Sequence, residues 1–457
     1  MKNLSGIILL LLILTTTACR SQKAQKQNFT MDKLTTLTHP EWSKKSNIYE
    51  VNIRQYTKEG TFKAFQPHIQ RLKNMGVDII WLMPINPIGE KNRKGSLGSY
   101  YAVKDYKVIN AEYGTLADFK DLVTEAHSLN MHVIIDWVAN HTAWDNNWVE
   151  EHPEWYKKDS LGNFASPYDW TDVLALDYSN HQLWKGMADA MKYWLDEADI
   201  DGFRCDVAML VSTDFWDSAR AELDKTKAVF MLAEAEQPNH HLKAFDANYS
   251  WEMFHVMQKV AKGENKVNDI YKERLKEDGL FSKSTYQMLF TSNHDENSWN
   301  GTEYEMFGEA TKTFSILNFV MPGFPLIYNG QEAGLNRRLK FFEKDEIDWK
   351  NLSKEDFYKS LIELKNRNSA LWNGEFGGDF TKLENNNPSN IFSFLRKLDG
   401  NTVLILCNLS AKNFMTEINF AGYEGSYINS FTGEKVEIKM KNNFDLKPWQ
   451  YIVMEKH

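Results

Sequence analysis

The chain has 457 residues, 42% of them hydrophobic, which is enough to bury a large core and makes two domains the prior expectation. Its formal net charge of -9, with no long basic run past the N-terminus, excludes nucleic acid as a main partner and argues against phosphorylated substrates. Aromatic residues make up 13% of the chain, including 15 tryptophans, so it holds the material for platforms that stack on flat, neutral ligands as well as for a core.

The N-terminus MKNLSGIILLLLILTTTAC sets Lys2 before an apolar run from Gly6 to Leu14. That run is too short to span a bilayer as a mature helix and predicts a secretory signal over residues 1–18. Thr17 and Ala18 directly before Cys19 resemble a bacterial lipoprotein signal, with Thr16 standing where leucine is usual. The expectation is an exported protein attached to a membrane through a lipidated Cys19. Residues 19–46 form a tether and lead-in, and the polar stretch RSQKAQKQNFT (20–30) reads as flexible. Lys23 and Lys26 in that tether favour a periplasm-facing site over surface display. Cys205 and Cys407 each sit in an apolar strand-like run and are expected to be buried free thiols.

From residue 47 short apolar runs alternate with amphipathic segments. NIYEVNIRQY reads as a strand, AFQPHIQRLKNM as a helix and VDIIWLMPI as a buried strand. The helix LADFKDLVTEAHSLN, the strand MHVIIDWVAN and the helix HQLWKGMADAMKYWLDEA follow. Next come IDGFRCDVA, the helix DFWDSARAELDK, AVFMLAEAE, a weak strand at ANYSWEMF, and TYQMLFTSNHD. The helix EATKTFSILNFVM and the strand FPLIYNGQEAG close the series. Continuous apolar strands alternating with helices imply a parallel sheet covered on both faces. About eight strands favour a closed (β/α)8 TIM barrel over residues 47–374, with a short insertion after the third strand at about 141–180. An open doubly wound sheet is the alternative, but no Gly-rich phosphate loop follows the first strand. After the helix DFYKSLIELKNRNSALW the pattern changes to short strands between turn residues. IFSFLRKL, TVLILCNLS, TEINF, GSYINSFTG, EKVEIKM and WQYIVMEK predict a C-terminal antiparallel β-sandwich over residues 375–457.

Polar residues collect at the C-terminal ends of the strands, where barrels build their sites. Asp136, Asn140 and His141 follow the third strand and Arg204 and Asp206 the fourth. Glu234 ends the fifth, and Asn293, His294 and Asp295 the seventh. In IDGFRCDVAML alternation puts Gly202, Arg204 and Asp206 on one face and Phe203, Cys205 and Val207 on the other. A guanidinium beside a carboxylate favours the carboxylate's charged form. Taken singly, each such end reads equally as a helix cap or a structural ion pair. Four around one barrel suggest either a metal site or two-carboxylate glycoside hydrolysis, and no HExxH or other clustered ligand motif supports a catalytic metal.

DWVANH (136–141), GFRCDVA (202–208), MLAEAE (231–236) and FTSNHD (290–295) resemble, in order, the four sequence signatures of the α-amylase superfamily of glycoside hydrolases. SYYAVKDY (99–106) is similar to the family segment that carries the aromatic floor of the cleavage subsite, and PGFPLIYNGQEAG to its eighth-strand turn. The resemblance implies a retaining hydrolase of α-glucan oligosaccharides. It makes Asp206 the nucleophile, Glu234 the general acid and then base, and Asp295 the transition-state stabiliser. Arg204 would hold Asp206 ionised, His141 and His294 would bond the sugar, Tyr101 would stack on it, and Asp136 would orient the arginine and tyrosine.

Where the family often continues its fourth-strand signature into Lys-His, which helps bind sugar and calcium, this chain has Met209 and Leu210. No cofactor is therefore expected, although Asn140 matches a family calcium-ligand position, and no metal ligands are assigned. VLALDY in the insertion matches no subgroup marker, and Val207 is similar to relatives that also cut α-1,6 bonds, so linkage stays open. Transglycosylation and a non-catalytic glucan-binding protein are the alternative readings. The expected partners are the glucan and, through Cys19, a membrane; the chain is expected to be a monomer.

Overall fold

A computed structural model describes residues 37–456; the expected signal, Cys19 and the tether over residues 20–30 lie outside them. Eight parallel strands close into one barrel: β1 (Ile48–Val51), β2 (Ile79–Leu82), β3 (His132–Trp137), β4 (Gly202–Cys205), β5 (Phe230–Ala233), β6 (Ala247–Tyr249), β7 (Tyr286–Leu289) and β8 (Phe324–Tyr328). Neighbours pair in chain order, and β8 returns to β1 with Ile48 opposite Leu326. Nearly every strand residue is buried because helices cover the outside and side chains fill the inside, which explains the unbroken apolar runs. Among the described residues no helix is long and apolar enough to cross a membrane.

The helices form where apolar residues recur at three- and four-residue steps. In His181–Ala198 the residues Leu183, Met187, Ala190, Met191, Trp194 and Ala198 make one buried face. The helix Leu116–Ser128 starts at a capping box in which Thr115 accepts from the Asp118 N–H and Asp118 from the Thr115 N–H. The first predicted strand is cut short: β1 ends at Val51, and Ile53–Tyr56 is a helical turn. Two helices, Trp251–Ala261 and Val267–Leu280, lie in a stretch where the sequence reading assigned only the weak strand. That strand exists as the three residues of β6.

One glycine decides the geometry under the site. A Cβ at Gly202 would stand 1.9 Å from the carbonyl oxygen of Phe230, so only glycine lets β4 and β5 approach at this level. Its neighbour two residues on is Arg204.

The C-terminal part holds a six-stranded antiparallel sheet and a two-stranded one, Phe414–Asn419 paired with Lys441–Leu446. The strand Asn401–Asn408 lies centrally in the larger sheet. Val403, Ile405 and Cys407 join the barrel's core, whereas Leu404 and Leu406 pack with Ile418, Tyr427 and Met454 inside the sandwich. Burial on both faces is why TVLILCN shows no polar alternation. Cys205 and Cys407 are buried and unbonded to each other.

Candidate active site

Because all barrel strands are parallel, their C-terminal ends lie on one rim, and the eight sequence-predicted site residues meet there. Arg204 is the hub. It is fully buried, and Nη1 donates to Asp136 Oδ1 at 2.9 Å and to Asp206 Oδ1 at 3.0 Å. Nη2 stands 3.0 Å from Glu234 Oε2, and Nε donates to the Tyr249 hydroxyl at 3.2 Å. Trp81, Tyr101 and Tyr249 surround the guanidinium with ring centroids 5.1, 5.8 and 5.5 Å away, distances at which an aromatic face attracts a cation. A buried arginine without partners would be prohibitive; here three carboxylates and three rings share it.

A second chain of contacts runs from β1. Glu50 Oε1 accepts from His294 Nδ1, and His294 Nε2 meets the Tyr101 hydroxyl at 2.7 Å. That hydroxyl donates to Asp136 Oδ2 at 3.0 Å, so its oxygen accepts from Nε2. Both ring nitrogens of His294 therefore donate, which is the imidazolium form. Burial opposes this charge, but Asp295, with Oδ2 3.2 Å from Nε2, and Glu50 together raise the His294 pKa well above its ordinary value. Asp295 moves the other way. Burial would raise it, yet the charge and hydrogen bond of His294 hold it below the usual carboxylate range.

Asp206 and Glu234 behave as a pair. Burial, and then Glu234 itself, push Asp206 well above its ordinary value against the pull of Arg204. Burial also raises Glu234, aided by Asp295 and opposed by Arg204 and by the Val207 N–H. Two carboxyls on one guanidinium that both resist ionisation favour keeping a proton between them and titrating as a unit. Asp295, after the end of β7, stays anionic.

Val207 holds the Glu234 carboxyl in place. It adopts φ 35° and ψ 45°, a left-handed conformation rare for a β-branched residue, and its N–H donates to Glu234 Oε2 at 2.7 Å. Strain of about 1–3 kcal/mol at such a residue persists where the surroundings over-determine it.

The cleft above these groups has a volume of about 500 Å³, within the range of small-ligand sites. Tyr101, Asp206, Glu234 and Asp295 line its floor. One wall is aromatic: Phe341 stacks on Tyr101 at 6.2 Å and 15°, and Trp299 leans on Phe341 at 5.1 Å. Across from it His141 meets the edge of Trp170 at 5.4 Å, and burial holds its imidazole neutral down to about pH 4. Lys94 and Asp172 pair at 3.0 Å on the rim. Apolar ring faces beside charged hydroxyl-binding groups suit a sugar, which offers C–H faces and O–H edges.

Glu50, Trp81, Tyr249, Trp299 and Phe341 were not foreseen. Asn140 Nδ2 lies 3.1 Å from His141 Nδ1, Met209 and Leu210 offer no side-chain oxygen, and among the described residues no group of three or more His, Cys, Asp or Glu could hold a metal ion.

A closed (β/α)8 barrel with a carboxylate pair and a third acid under an aromatic-walled cleft defines a glycoside hydrolase of the two-carboxylate kind. The description "Alpha amylase, catalytic domain" matches residues 38–166 and 153–387, and the chain belongs to that family. Among solved structures it is 30% identical to a noncanonic maltogenic alpha-amylase, AmyB, from Thermotoga neapolitana, with TM-score 0.82, over 90% of this chain and 98% of that one. It is 32% identical to an alpha-amylase from Lactobacillus plantarum, with TM-score 0.79, over 91% and 99% of the two chains. Alpha-amylase 2 of Dictyoglomus thermophilum is 25% identical over 86% of this chain and 74% of its own length. The protein is an alpha-amylase-family glycoside hydrolase that acts on α-glucans.

Proposed function

We propose that the chain cleaves α-1,4-glucosidic bonds of starch-derived oligo- and polysaccharides with retention of configuration. The observation that carries this reading is the single guanidinium of Arg204, which contacts Asp206 through one nitrogen and Glu234 through the next. Carboxyls so bridged favour the closer spacing of retaining pairs, about 5–5.5 Å, over the 6.5–9.5 Å that leaves room for water in inverting ones. A glucosyl ring rests against Tyr101 with its hydroxyls on Asp295 and His141, while His294, both of whose nitrogens are engaged by Glu50 and Tyr101, holds Tyr101 and Asp295 in place. Asp206 Oδ2 attacks the anomeric carbon while Arg204 neutralises Oδ1. The glycosidic bond breaks as Glu234 Oε1 gives its proton to the leaving oxygen, Oε2 being tied to Val207 N–H. Glu234, now ionised, takes a proton from water, whose oxygen attacks the same carbon and frees Asp206. Asp295 stabilises the positive charge that develops on the ring in both steps.

Incubation with maltoheptaose tests the reading, with products separated by chromatography and followed by early proton NMR. Shorter maltooligosaccharides released as α-anomers are expected. Initial β-anomers overturn the mechanism, products longer than the substrate favour transglycosylation, and binding without cleavage favours the non-catalytic alternative.

The proposal extends to location: an exported enzyme held at a membrane by lipidated Cys19, facing the periplasm. Its support is the sequence pattern of Lys2, the apolar run and Ala18–Cys19. Two acyl signals give firm anchoring, and a diacylglyceryl group supplies them. Wild type in the membrane fraction with Cys19→Ser soluble is the expected result; soluble wild type cleaved at another position overturns it.

A further inference from the structure

The barrel meets the sandwich at the face opposite the active site, and a cavity of about 400 Å³ lies at that junction. The helix Val267–Leu280, the start of β7, the loop before β8 and the strands that carry Phe380 and Arg396 enclose it. Arg396 is its unusual occupant. It is 1% exposed, and among the described residues no carboxylate lies within ion-pair distance of it. Nε donates to the Gly378 carbonyl at 3.0 Å and Nη1 to that of Val320 at 3.3 Å, so its charge has only neutral acceptors.

Other donors on residues of the lining have no acceptor. Arg274 Nε, Gln287 Nε2 and Thr285 Oγ1 are buried and unbonded, on residues 6%, 5% and 6% exposed. Leaving buried donors unpaired costs stability. The anionic groups of the lining are already engaged. Asp278 accepts from Arg274 Nη2, and Asp379 accepts from Lys283 at 2.8 Å. Three cations against two carboxylates leave the lining with one positive charge in excess, and Arg396 is the cation without a partner. Glu277, which accepts from Arg274 at 2.9 Å, is pushed by burial to about 7 and so neutralises Arg274 only in part at neutral pH. Burial and the nearby Arg274 lower Arg396 to about 9, the penalty that a bound anion would relieve.

We propose that this cavity is a binding site for a small tetrahedral oxyanion, phosphate or sulfate, held by Arg396, Gln287, Thr285 and Arg274. A planar guanidinium with further N–H and O–H donors around it matches the several acceptor oxygens of such an ion. Bound there, the anion bridges helix, barrel strand and sandwich, and ties the two parts of the chain together through ion binding rather than through apolar packing alone.

Titration calorimetry of the purified protein with inorganic phosphate, and separately with sulfate, at fixed ionic strength set by chloride, tests the site. Saturable one-to-one binding is expected, together with a concentration-dependent rise in Tm that equal chloride does not give. Arg396→Met replaces a buried, unpaired charge by an apolar side chain of similar length, a change that buried ion sites often tolerate. It should weaken phosphate binding at least ten-fold and abolish the Tm response while leaving maltoheptaose cleavage in place. Thr285→Val, which keeps the shape and removes one donor, should weaken binding several-fold and provides a second readout if the arginine variant does not fold. No heat of binding in wild type, or equal phosphate responses in wild type and both variants, would overturn the site. Phosphate and sulfate binding alike identifies a general oxyanion site, and phosphate alone a selective one.

Discussion

Glu50 and His294 are joined across the barrel by a carboxylate–imidazolium hydrogen bond, 244 positions apart in the chain. The pair is the buried end of a relay that passes through Tyr101 and Asp136 to Arg204, and so to the carboxyls of Asp206 and Glu234. Glu50 lies outside the cleft lining; it fixes the orientation and charge of His294, which in turn holds Tyr101 and Asp295.

Glu50→Gln should therefore lower kcat about ten-fold or more with little change in fold. The sign of its pH effect follows from the charges. His294 has a pKa raised above its unfolded value, so its contribution to stability is full below the unfolded pKa, about 6.5, and is lost as pH rises through the folded one. Removing the Glu50 charge lowers that folded pKa. The alkaline limb of the kcat/KM profile should move to lower pH, whereas a merely structural role would lower activity equally at every pH.

Asp206→Asn should remove turnover by about 10^4-fold or more, as loss of a covalent nucleophile does. Its effect on stability should be neutral or favourable. The folded-state pKa of Asp206 is raised by burial and by Glu234, so its ionised form costs stability as pH climbs from the unfolded value of about 4. An uncharged amide removes that cost. Denaturant unfolding at pH 7 and pH 5 checks it: the variant should gain on wild type at the higher pH. Wild-type activity in the variant sinks the nucleophile assignment.

Most of the barrel was legible because parallel strands buried on both faces leave long apolar runs, as in VDIIWLMPI and MHVIIDWVAN. β6 was faint because only Ala247–Tyr249 make it. The strand Lys441–Leu446 was missed because, of its six residues, only Leu446 is fully buried. Glu50 escaped notice for a related reason. Reading the first strand through Tyr56 put Glu50 in its middle, whereas the chain turns at Asn52 and leaves Glu50 at the rim with Asp136 and Arg204. The signal was a lone carboxylate in an apolar strand, the same oddity that marked Arg204. Trp299 and Phe341 carry no such local mark, since only the closed fold brings them beside Tyr101.

Glu234→Gln should keep affinity for maltooligosaccharides while slowing their cleavage by about 10^2–10^4-fold, the usual worth of a positioned general acid. Aryl maltosides with good leaving groups need no proton and should be slowed far less in the first step. Burst kinetics with such a substrate would then show the glycosyl-enzyme accumulate, because the same residue no longer activates water. Equal slowing of both substrate classes would assign the acid to another group.

Val207 is where stability and activity should part. Glycine adopts φ 35° without the clash that a β-branched side chain meets, so Val207→Gly relieves strain of about 1–3 kcal/mol. Against that gain stand about 0.5–1 kcal/mol of backbone entropy and the loss of a half-buried side chain. The net change in unfolding free energy should lie within about 1 kcal/mol of zero, where most substitutions of partly buried apolar residues are destabilising. Activity should fall about ten-fold in kcat with little change in KM. The N–H that holds Glu234 Oε2 would then sit on a freer backbone, and the acid would be less well aimed in the transition state. Denaturant unfolding and steady-state kinetics on one preparation measure both. A variant destabilised by several kcal/mol yet fully active would show that the left-handed turn serves the fold and not the acid.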